Sequence, residues 1–259
     1  MLLSSTARKR YNAAMTNHDP QPKPGLIWER LQRAETGVRL ALSRDQIVRA
    51  AMAIADAEGT QAISMRRIAA ELGSTAMALY RHVFSKDDLL DLMLDAVFGE
   101  IALPEQPAGD WRADLRMFAY ASRTVLKRHP WVLPLLISRP TLGPNYLRWF
   151  EFSLACVANR GLDIATMTQV VGVLNGYISA TVSYEVAEEE HTRRIELSEA
   201  DKREIITPYI QQIIASGRYP NFARFFAEEV NLDPEQSFTF GIECVLDGIA
   251  MQLAQRSET

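Results

Sequence analysis

The stretch SMRRIAAELGSTAMALYRHVFSKDDLL, residues 64–90, decides the fold. Ser64 is a favourable N-cap for a short helix, and Gly73 is expected to end that helix because glycine readily adopts positive φ. Ser74 or Thr75 then caps a second short helix. Two short helices joined by a tight turn that contains glycine form a helix-turn-helix unit. Apolar residues at helical spacing mark the buried faces: Met65, Ile68, Ala69 and Leu72 in the first helix, and Ala76, Leu79 and Val83 in the second.

Longer helices are predicted on either side of this unit. Ser43 and Gln46 have the spacing of a capping box before an amphipathic helix. Ser85 and Asp88 repeat that spacing before a further helix, which we expect to run to about Ala102. The short helices would therefore be packed between two longer ones. Helices this short need such packing, because they are unstable in isolation.

The remainder of the chain also has a helical pattern. Asp110 is expected to cap one helix, and Pro144 suits the first turn of another. Few β-branched residues alternate as they would in strands. The sequence predicts an all-α fold of about ten helices, with an N-terminal helix-turn-helix domain and a larger C-terminal helical domain. The expected parts are an arm at 1–42, the helix-turn-helix domain with its connecting helix at 43–102, and the C-terminal domain at 103–259.

The charge distribution restricts where nucleic acid could bind. The 259-residue chain has a net charge of −4. Residues 1–42 carry seven Lys/Arg and three Asp/Glu, whereas residues 43–102 carry six and nine and residues 103–259 carry fifteen and twenty. No domain is strongly basic, so any DNA contact must come from a small local face together with the arm.

Composition also gives expectations about compartment. The N-terminus lacks the apolar region of a secretory signal, and the purely apolar runs are short, so we expect neither a signal peptide nor a membrane span. Cys156 and Cys244 lie far apart in apolar helical contexts without metal-ligand spacing, and we expect both to be buried small hydrophobes. These features indicate a cytoplasmic protein without a metal or cofactor.

The helix that follows Gly73 carries the strongest functional signal. With Leu79 at the centre of the buried face, Tyr80 and His82 flank that face. Residues 74–86 contain no Asp or Glu, and Arg66, Arg67 and Lys86 add positive charge nearby. In a helix-turn-helix unit the second helix lies in the major groove, so this face is a candidate DNA-binding surface, although exposed basic residues are often only solvated. Its outward residues are Ser74, Met77, Ala78 and Arg81.

Residues 42–100 resemble the DNA-binding region of the tetracycline-repressor (TetR) family. The fragments that carry the resemblance are ADAEG, SMRRIAAELG, ALYRHV and SKDDLL. More loosely, RHPWVLPLLISRPTLGPN and VLDGIA resemble the C-terminal regulatory domain of a large subgroup that is common in actinobacteria. The resemblance covers most of the chain from Gly25 onward.

The resemblance implies a set of DNA-contacting residues. Tyr80, His82 and Lys86 match positions that contact phosphates, and Arg66 matches a DNA-reaching position in the preceding helix. Arg81 occupies a variable position, and we expect it to read a base, with guanine the best match for its paired donors. The complete expected set is Arg66, Ser74, Thr75, Ala76, Met77, Ala78, Tyr80, Arg81, His82 and Lys86.

The arm offers a second possible DNA contact. Arg30, Arg33 and Arg39 precede the first long helix, and flexible basic arms can enter a minor groove. A solvated linker is an equally good interpretation of the same residues.

The resemblance further implies a homodimer that binds a palindromic DNA operator. Gly172, Gly176 and Ala180 recur every four residues in one C-terminal helix, and Gly241, Cys244 and Gly248 sit similarly in the last helix, which favours close helix approach. In the TetR family these two helices form the dimer interface, although packing within one chain would also use small residues. The expected interface residues are Gly172, Gly176, Ala180, Gly241, Cys244 and Gly248.

A small-molecule pocket is expected among the helices that precede the interface. An aromatic lining would suit an apolar or aromatic inducer, although each candidate taken singly is more readily explained as an ordinary core residue. The expected lining residues are Phe118, Trp131, Trp149, Phe152, Asn175 and Tyr177.

Two other classes of function remain as alternatives. Glu188 and His191 form one E-x-x-H motif, but a di-iron helix bundle needs a second such motif and further glutamates. A protein-interaction bundle would not require the residues from Tyr80 to Lys86. The sequence therefore predicts a non-enzymatic, ligand-responsive DNA-binding regulator. We expect a repressor that its ligand releases from DNA, although these residues do not by themselves distinguish a repressor from an activator.

Overall fold

The computed structural model describes residues 27–28, 42–139, 142–194, 199–228 and 232–257, and these residues form helices and connecting turns. The predicted arm residues Arg30, Arg33 and Arg39 lie outside the described residues. The N-terminal helices are α1 (Arg44–Glu58), α2 (Met65–Glu71), α3 (Ala76–Leu79) and α4 (Lys86–Glu100), with a 3₁₀ turn at Thr60–Ala62.

The C-terminal part consists of seven described helices. Long helices α5 (Trp111–Arg128), α7 (Pro144–Ala158), α8 (Ile164–Arg194) and α11 (Pro234–Ser257) build its body. The shorter ones are α6 (Val132–Ser138), α9 (Glu199–Ala215) and α10 (Pro220–Ala227). The all-α prediction is confirmed, with eleven α-helices in the described part of the chain.

Local capping explains most helix starts. The Ser43 hydroxyl accepts from the Gln46 backbone N–H, and the Gln46 side chain accepts from the Ser43 N–H, which completes the predicted capping box. Ser85 caps α4 through the Asp88 N–H. These bonds satisfy N–H groups that a helix end leaves unpaired, so they fix where α1 and α4 begin.

Helix α6 was not predicted, because Pro130 and Pro134 obscure its pattern. Pro134 is the third residue of this helix. A first-turn residue has no intrahelical N–H bond to lose, so proline is tolerated there.

The N-terminal helices share their core with the C-terminal part. Ile27 is buried in this core, and Trp28 is partly buried against it. Helix α1 packs on α4, and α4 packs in turn on α6 and α7. Helix α4 is therefore the structural link between the two halves.

Ion pairs join three of the long C-terminal helices. Arg123 of α5 is buried and donates to Glu185 of α8 and to Glu235 of α11. Its guanidinium also lies 4.5 Å from the centre of the Phe238 ring. A buried guanidinium needs such partners, so this network fixes the relative positions of α5, α8 and α11.

Candidate DNA-binding face and regulatory site

The turn before α3 positions the residues that were predicted to meet DNA. Gly73 has φ of 57°, in the left-handed region that glycine adopts without strain. The Ser74 N–H donates to the Ala69 carbonyl at 2.8 Å, and the Thr75 hydroxyl caps α3 through the Ala78 N–H at 3.3 Å. Of the two predicted caps, Thr75 is the one observed.

Burial of two residues orients the recognition segment, which we define as residues 74–86. Leu79 and Val83 are fully buried, whereas Met77 is 72% exposed and Tyr80 is 45% exposed. Arg81 is exposed, and His82 is half-buried. The predicted orientation therefore agrees with the structure, and the segment presents an outward face without a carboxylate of its own.

Two basic residues outside α3 border this face, and a third residue that was predicted to add positive charge is paired elsewhere. Arg66 and Lys86 are exposed. Arg67 instead forms a two-pronged ion pair with Glu58 at the end of α1, with one Nη1–Oε2 distance of 2.7 Å. The expectation that Arg67 adds free positive charge is wrong, because Glu58 neutralises it.

Arg44 is a basic residue near this face that sequence reasoning missed. Burial lowers the pKa of His82, and the charges of Arg44 and Arg81 lower this pKa further. Arg44 is half-buried, and its Nε has no hydrogen-bond partner among the described residues. Two arginines from different elements therefore act on one histidine, which makes this edge of the face electropositive. In the sequence, the only indication of this role is that Arg44 is the first residue of α1.

Three of the predicted ligand-lining residues lie together. We define the aromatic cluster as Phe98, Phe118, Trp149 and Phe152. The Phe118 ring lies 5.1 Å from the Trp149 ring and 6.3 Å from the Phe152 ring, and Phe98 lies 5.0 Å from Trp149. All four are buried, and the Trp149 indole donates to Ser122 at 3.0 Å. In this conformation the cluster is packed as core.

Asn175 of α8 has an unusual environment. Its side-chain oxygen is buried and has no hydrogen-bond partner among the described residues. A buried acceptor without a donor is unfavourable. Asn175 is therefore the predicted lining residue with unused hydrogen-bonding capacity.

Trp131 and Tyr177 take part in other contacts. The Trp131 indole donates to Asp56 of α1 at 2.6 Å. The Tyr177 hydroxyl donates to the backbone carbonyl of Phe238 in α11 at 3.2 Å. The structure therefore places Trp131 against the N-terminal helices and Tyr177 between α8 and α11, and it does not group either with the aromatic cluster.

A surface cavity of about 420 Å³ lies on the α9–α10 hairpin. None of the six predicted ligand residues lines it. Its lining residues are Tyr209, Gln212, Ile213, Ser216, Arg218, Tyr219 and Phe222.

Most of the predicted interface residues face outward. Gly176, Ala180, Cys244 and Gly248 are exposed, and Gly172 is half-buried. We call these five residues the small-residue strip. A β-carbon added at any of its three glycines would meet nothing within 4 Å, so their small size is not explained by packing inside this chain.

Gly241 and Cys244 require corrections. A β-carbon at Gly241 would collide with the Tyr177 ring and hydroxyl, so packing within the chain explains this glycine. Cys244 is exposed, contrary to the expectation that both cysteines are buried. Cys156 is buried as expected, and burial raises the pKa of its thiol to about 12.

Large apolar side chains surround the strip. Val173 and Tyr184 on α8 and Phe240 and Met251 on α11 are all more than half exposed, with Phe240 at 74%. By length and composition alone, Pro234–Gln255 could cross a membrane, although we expected no membrane span from the sequence. Only 22% of this stretch is buried in the chain. This surface is a large exposed apolar patch, which in soluble proteins marks an interaction site.

The comparisons with known proteins agree with this arrangement. A family model described as bacterial regulatory proteins of the tetR family matches residues 47–93. A second, described as the tetracyclin repressor-like C-terminal domain, matches residues 103–253. The chain belongs to the TetR family. This family consists of non-enzymatic DNA-binding transcriptional regulators, so the enzyme alternative built on Glu188 and His191 is wrong.

Individual relatives of this TetR-family regulator extend the match over most of the chain. The HTH-type transcriptional repressor DrrR1 of Streptomyces coeruleorubidus is 37% identical, over 89% of this chain and 86% of the relative. Apo ActR from Streptomyces coelicolor superposes with a TM-score of 0.69 at 26% identity, covering 85% of this chain and all of ActR. ActR in complex with actinorhodin gives a TM-score of 0.66 at 28% identity, covering 83% of this chain and 99% of ActR.

In this TetR-family chain, α4 is attached to the C-terminal part at several points. Asp91 accepts from Arg139 at 3.0 Å. Asp95 accepts from the backbone N–H groups of Asn145 and Tyr146 at the start of α7. Burial raises the pKa of Asp95, and these hydrogen bonds partly offset that rise. A movement of α6 or α7 would therefore displace α4, which follows the recognition segment directly.

Proposed function

We propose that this TetR-family regulator is a homodimeric repressor that binds a palindromic operator and dissociates when a small apolar or aromatic molecule binds its C-terminal part. The observation that carries the proposal is the outward, carboxylate-free recognition segment in a chain of this family. We further propose that residues 43–102 form the DNA-binding domain, that residues 103–259 form the regulatory domain, and that the protein works in the cytoplasm, where its target DNA lies.

The recognition segment supports specific roles for its residues. Arg81 is exposed and can bridge guanine O6 and N7 in the major groove. Tyr80, His82, Lys86 and Arg66 would hold phosphates and fix the register of the segment. The remaining surface residues offer little hydrogen bonding but permit close approach of the DNA and methyl contacts with thymine: Ser74, Thr75, Ala76, Met77 and Ala78.

The small-residue strip and its apolar surroundings support the homodimer. The exposed residues recur at three- and four-residue spacing on one face of α8 and one face of α11, so two copies could pair these helices with their ridges interdigitated. A two-fold dimer presents two recognition segments, which matches a palindromic site. Burial of this patch against a second copy would also explain why α11 of a DNA-binding protein is so apolar.

The aromatic cluster supports the ligand proposal. Binding would require its rings to separate, and the unused Asn175 oxygen could accept a hydrogen bond from the ligand. ActR, which resembles this chain along most of its length, has been seen in complex with actinorhodin. Separation of Trp149 from Phe98 would act directly on α4, because Phe98 belongs to that helix. Ligand binding would thereby change the distance between the two recognition segments.

The experiment that tests the DNA-binding proposal uses duplexes from the promoter region beside the protein's own gene. Arg81→Ala should reduce operator affinity by about 10- to 100-fold and relax the preference at one base pair in each half-site. Lys86→Ala and Tyr80→Phe should weaken binding to operator and unrelated duplexes by the same factor. Arg49→Ala is the matched control, because Arg49 is an exposed arginine on α1 outside the proposed contacts.

Binding is measured by fluorescence anisotropy at fixed salt concentration. An equal loss on every sequence for Arg81→Ala would contradict its role in reading bases. Failure of the unaltered protein to bind any promoter duplex would contradict the proposed function as a whole.

A further inference from the structure

A buried histidine connects the N-terminal helices to the regulatory domain. His129, which follows α5, is 3% exposed. Its Nδ1 lies 2.7 Å from Asp56 Oδ1 of α1, and its Nε2 lies 3.1 Å from Glu100 Oε2 at the end of α4. We call these three side chains the junction. One imidazole therefore spans two carboxylates on two helices of the N-terminal half.

Each carboxylate of the junction has a second donor. The Trp131 indole N–H donates to Asp56 Oδ1 at 2.6 Å. Arg128 Nη1 donates to Glu100 Oε2 at 2.8 Å. The charged groups around His129 are thus the junction carboxylates Asp56 of α1 and Glu100 of α4, together with Arg128 of α5, which contacts Glu100. Trp131, just before α6, presents a neutral indole.

Only a protonated imidazole fits both contacts. A neutral imidazole has one N–H donor and one lone pair, whereas an ionised carboxylate can only accept. The imidazolium can donate to Asp56 and to Glu100 at the same time. When its proton is lost, one ring nitrogen directs a lone pair at a carboxylate oxygen, and that pair must separate. Because Trp131 and Arg128 remain as donors, either carboxylate can part from His129 and stay hydrogen-bonded.

We propose that the Asp56–His129–Glu100 junction is a proton-dependent connection that fixes the helix-turn-helix unit on the regulatory domain. The effect on DNA rests on the proposed dimer and palindrome. In the protonated state the junction sets the distance between the two recognition segments. When the imidazolium loses its proton, the connection opens and the dimer loses affinity for a full palindrome more than for a half-site.

The test compares a palindromic operator with a half-site duplex at about pH 6 and about pH 8. For the unaltered protein, the preference for the palindrome should be roughly five- to tenfold smaller at the higher pH, a modest coupling between sites. A palindrome engages two copies of His82 and a half-site engages one, so the variants are made and compared in a His82→Gln background, in which His82 does not contribute to the ratio. His129→Gln should give a ratio that does not change with pH, and His191→Gln, at an exposed histidine on α8, should behave like the unaltered protein.

Asp56→Asn separates charge from packing at the junction. The amide oxygen can still accept from Trp131, but the negative charge that favours the imidazolium is removed. We expect the pH dependence of the ratio to be lost, as for His129→Gln. A pH-dependent ratio that persists in both variants would overturn the proposal, because the junction would then be only a packing contact.

Amide hydrogen exchange in the last turn of α1 tests the junction without DNA. After correction for intrinsic rates, exchange should be faster at the higher pH in the unaltered protein and independent of pH in His129→Gln. If exchange behaves in this way but no duplex binds, the junction stands and the proposed function fails. If DNA binds but neither exchange nor the ratio depends on His129, the proposed function stands and the junction proposal is wrong.

Discussion

Leu79 and Val83 are fully buried, and their burial determines which neighbours face solvent. This orientation follows from helical spacing alone, so the outward positions of Met77 and Arg81 could be predicted from the sequence. Hydrogen-bond partners that are distant in sequence could not be predicted in this way. Trp131 bonds to Asp56, 75 residues away, and Tyr177 bonds to Phe238, 61 residues away. Aromatic character indicates burial, but the contact that uses the polar atom depends on how the helices pack.

Arg44 provides the first prediction at the scale of the residue. Its position beside His82 favours a role in binding a DNA phosphate. Arg44→Ala should weaken binding to operator and non-operator duplexes by the same factor, roughly five- to tenfold at moderate salt. It should also reduce the slope of log affinity against log salt concentration by about 1.8 for the dimer, which is about 0.9 for each of its two phosphate contacts. Anisotropy titrations at several salt concentrations measure both quantities.

Arg49→Ala is again the suitable control for Arg44, since both substitutions remove one positive charge from α1. An unchanged salt slope for Arg44→Ala, equal to that of the control, would show that Arg44 does not contact the backbone.

At the scale of the element, helix starts were more predictable than helix contacts. Ser43, Ser64, Ser85 and Asp110 cap their helices as predicted, because capping depends on residues within one turn. The ion pairs between α5 and α11 depend on residues more than a hundred positions apart. No local pattern could indicate them.

The contact between α5 and α11 yields a prediction about pH. Hydrogen bonds from Arg116 and Arg112 lower the pKa of Glu243 to about 2. Since the unfolded chain has the ordinary, higher pKa, this contribution to stability is complete above about pH 4.5 and is lost as the pH falls towards 2. Because Glu243 is partly exposed, solvent screening reduces the contribution to about 1 kcal/mol.

Glu243→Gln should therefore lower the free energy of unfolding by about 1 kcal/mol at neutral pH. The difference from the unaltered protein should narrow below about pH 4.5. Urea unfolding at one fixed chain concentration measures it, with Glu151→Gln at an exposed site as the control. A difference that stays constant down to about pH 3 would contradict the assigned role of the Glu243 charge.

At the scale of the whole molecule, packing within a single chain explains the identity of some residues and leaves others unexplained. The core explains the burial of Leu79 and of the aromatic cluster, and the contact with Tyr177 explains the small size of Gly241. It does not explain why Gly176 and Ala180 are small and exposed beside large apolar side chains on α8 and α11. The sequence could predict that these residues are special from their four-residue spacing. It could not separate Gly241, which packs against Tyr177, from the residues that face outward.

The central claim is that two chains paired through this surface bind one palindromic duplex. The mass of the protein–DNA complex in solution, measured by light scattering, tests it most directly. We predict two chains per palindromic operator, and Ala180→Arg, which places a charge in the small-residue strip, should give monomers with at least tenfold weaker operator binding. A complex with one chain per duplex, or a two-chain complex that Ala180→Arg leaves intact, would contradict the account.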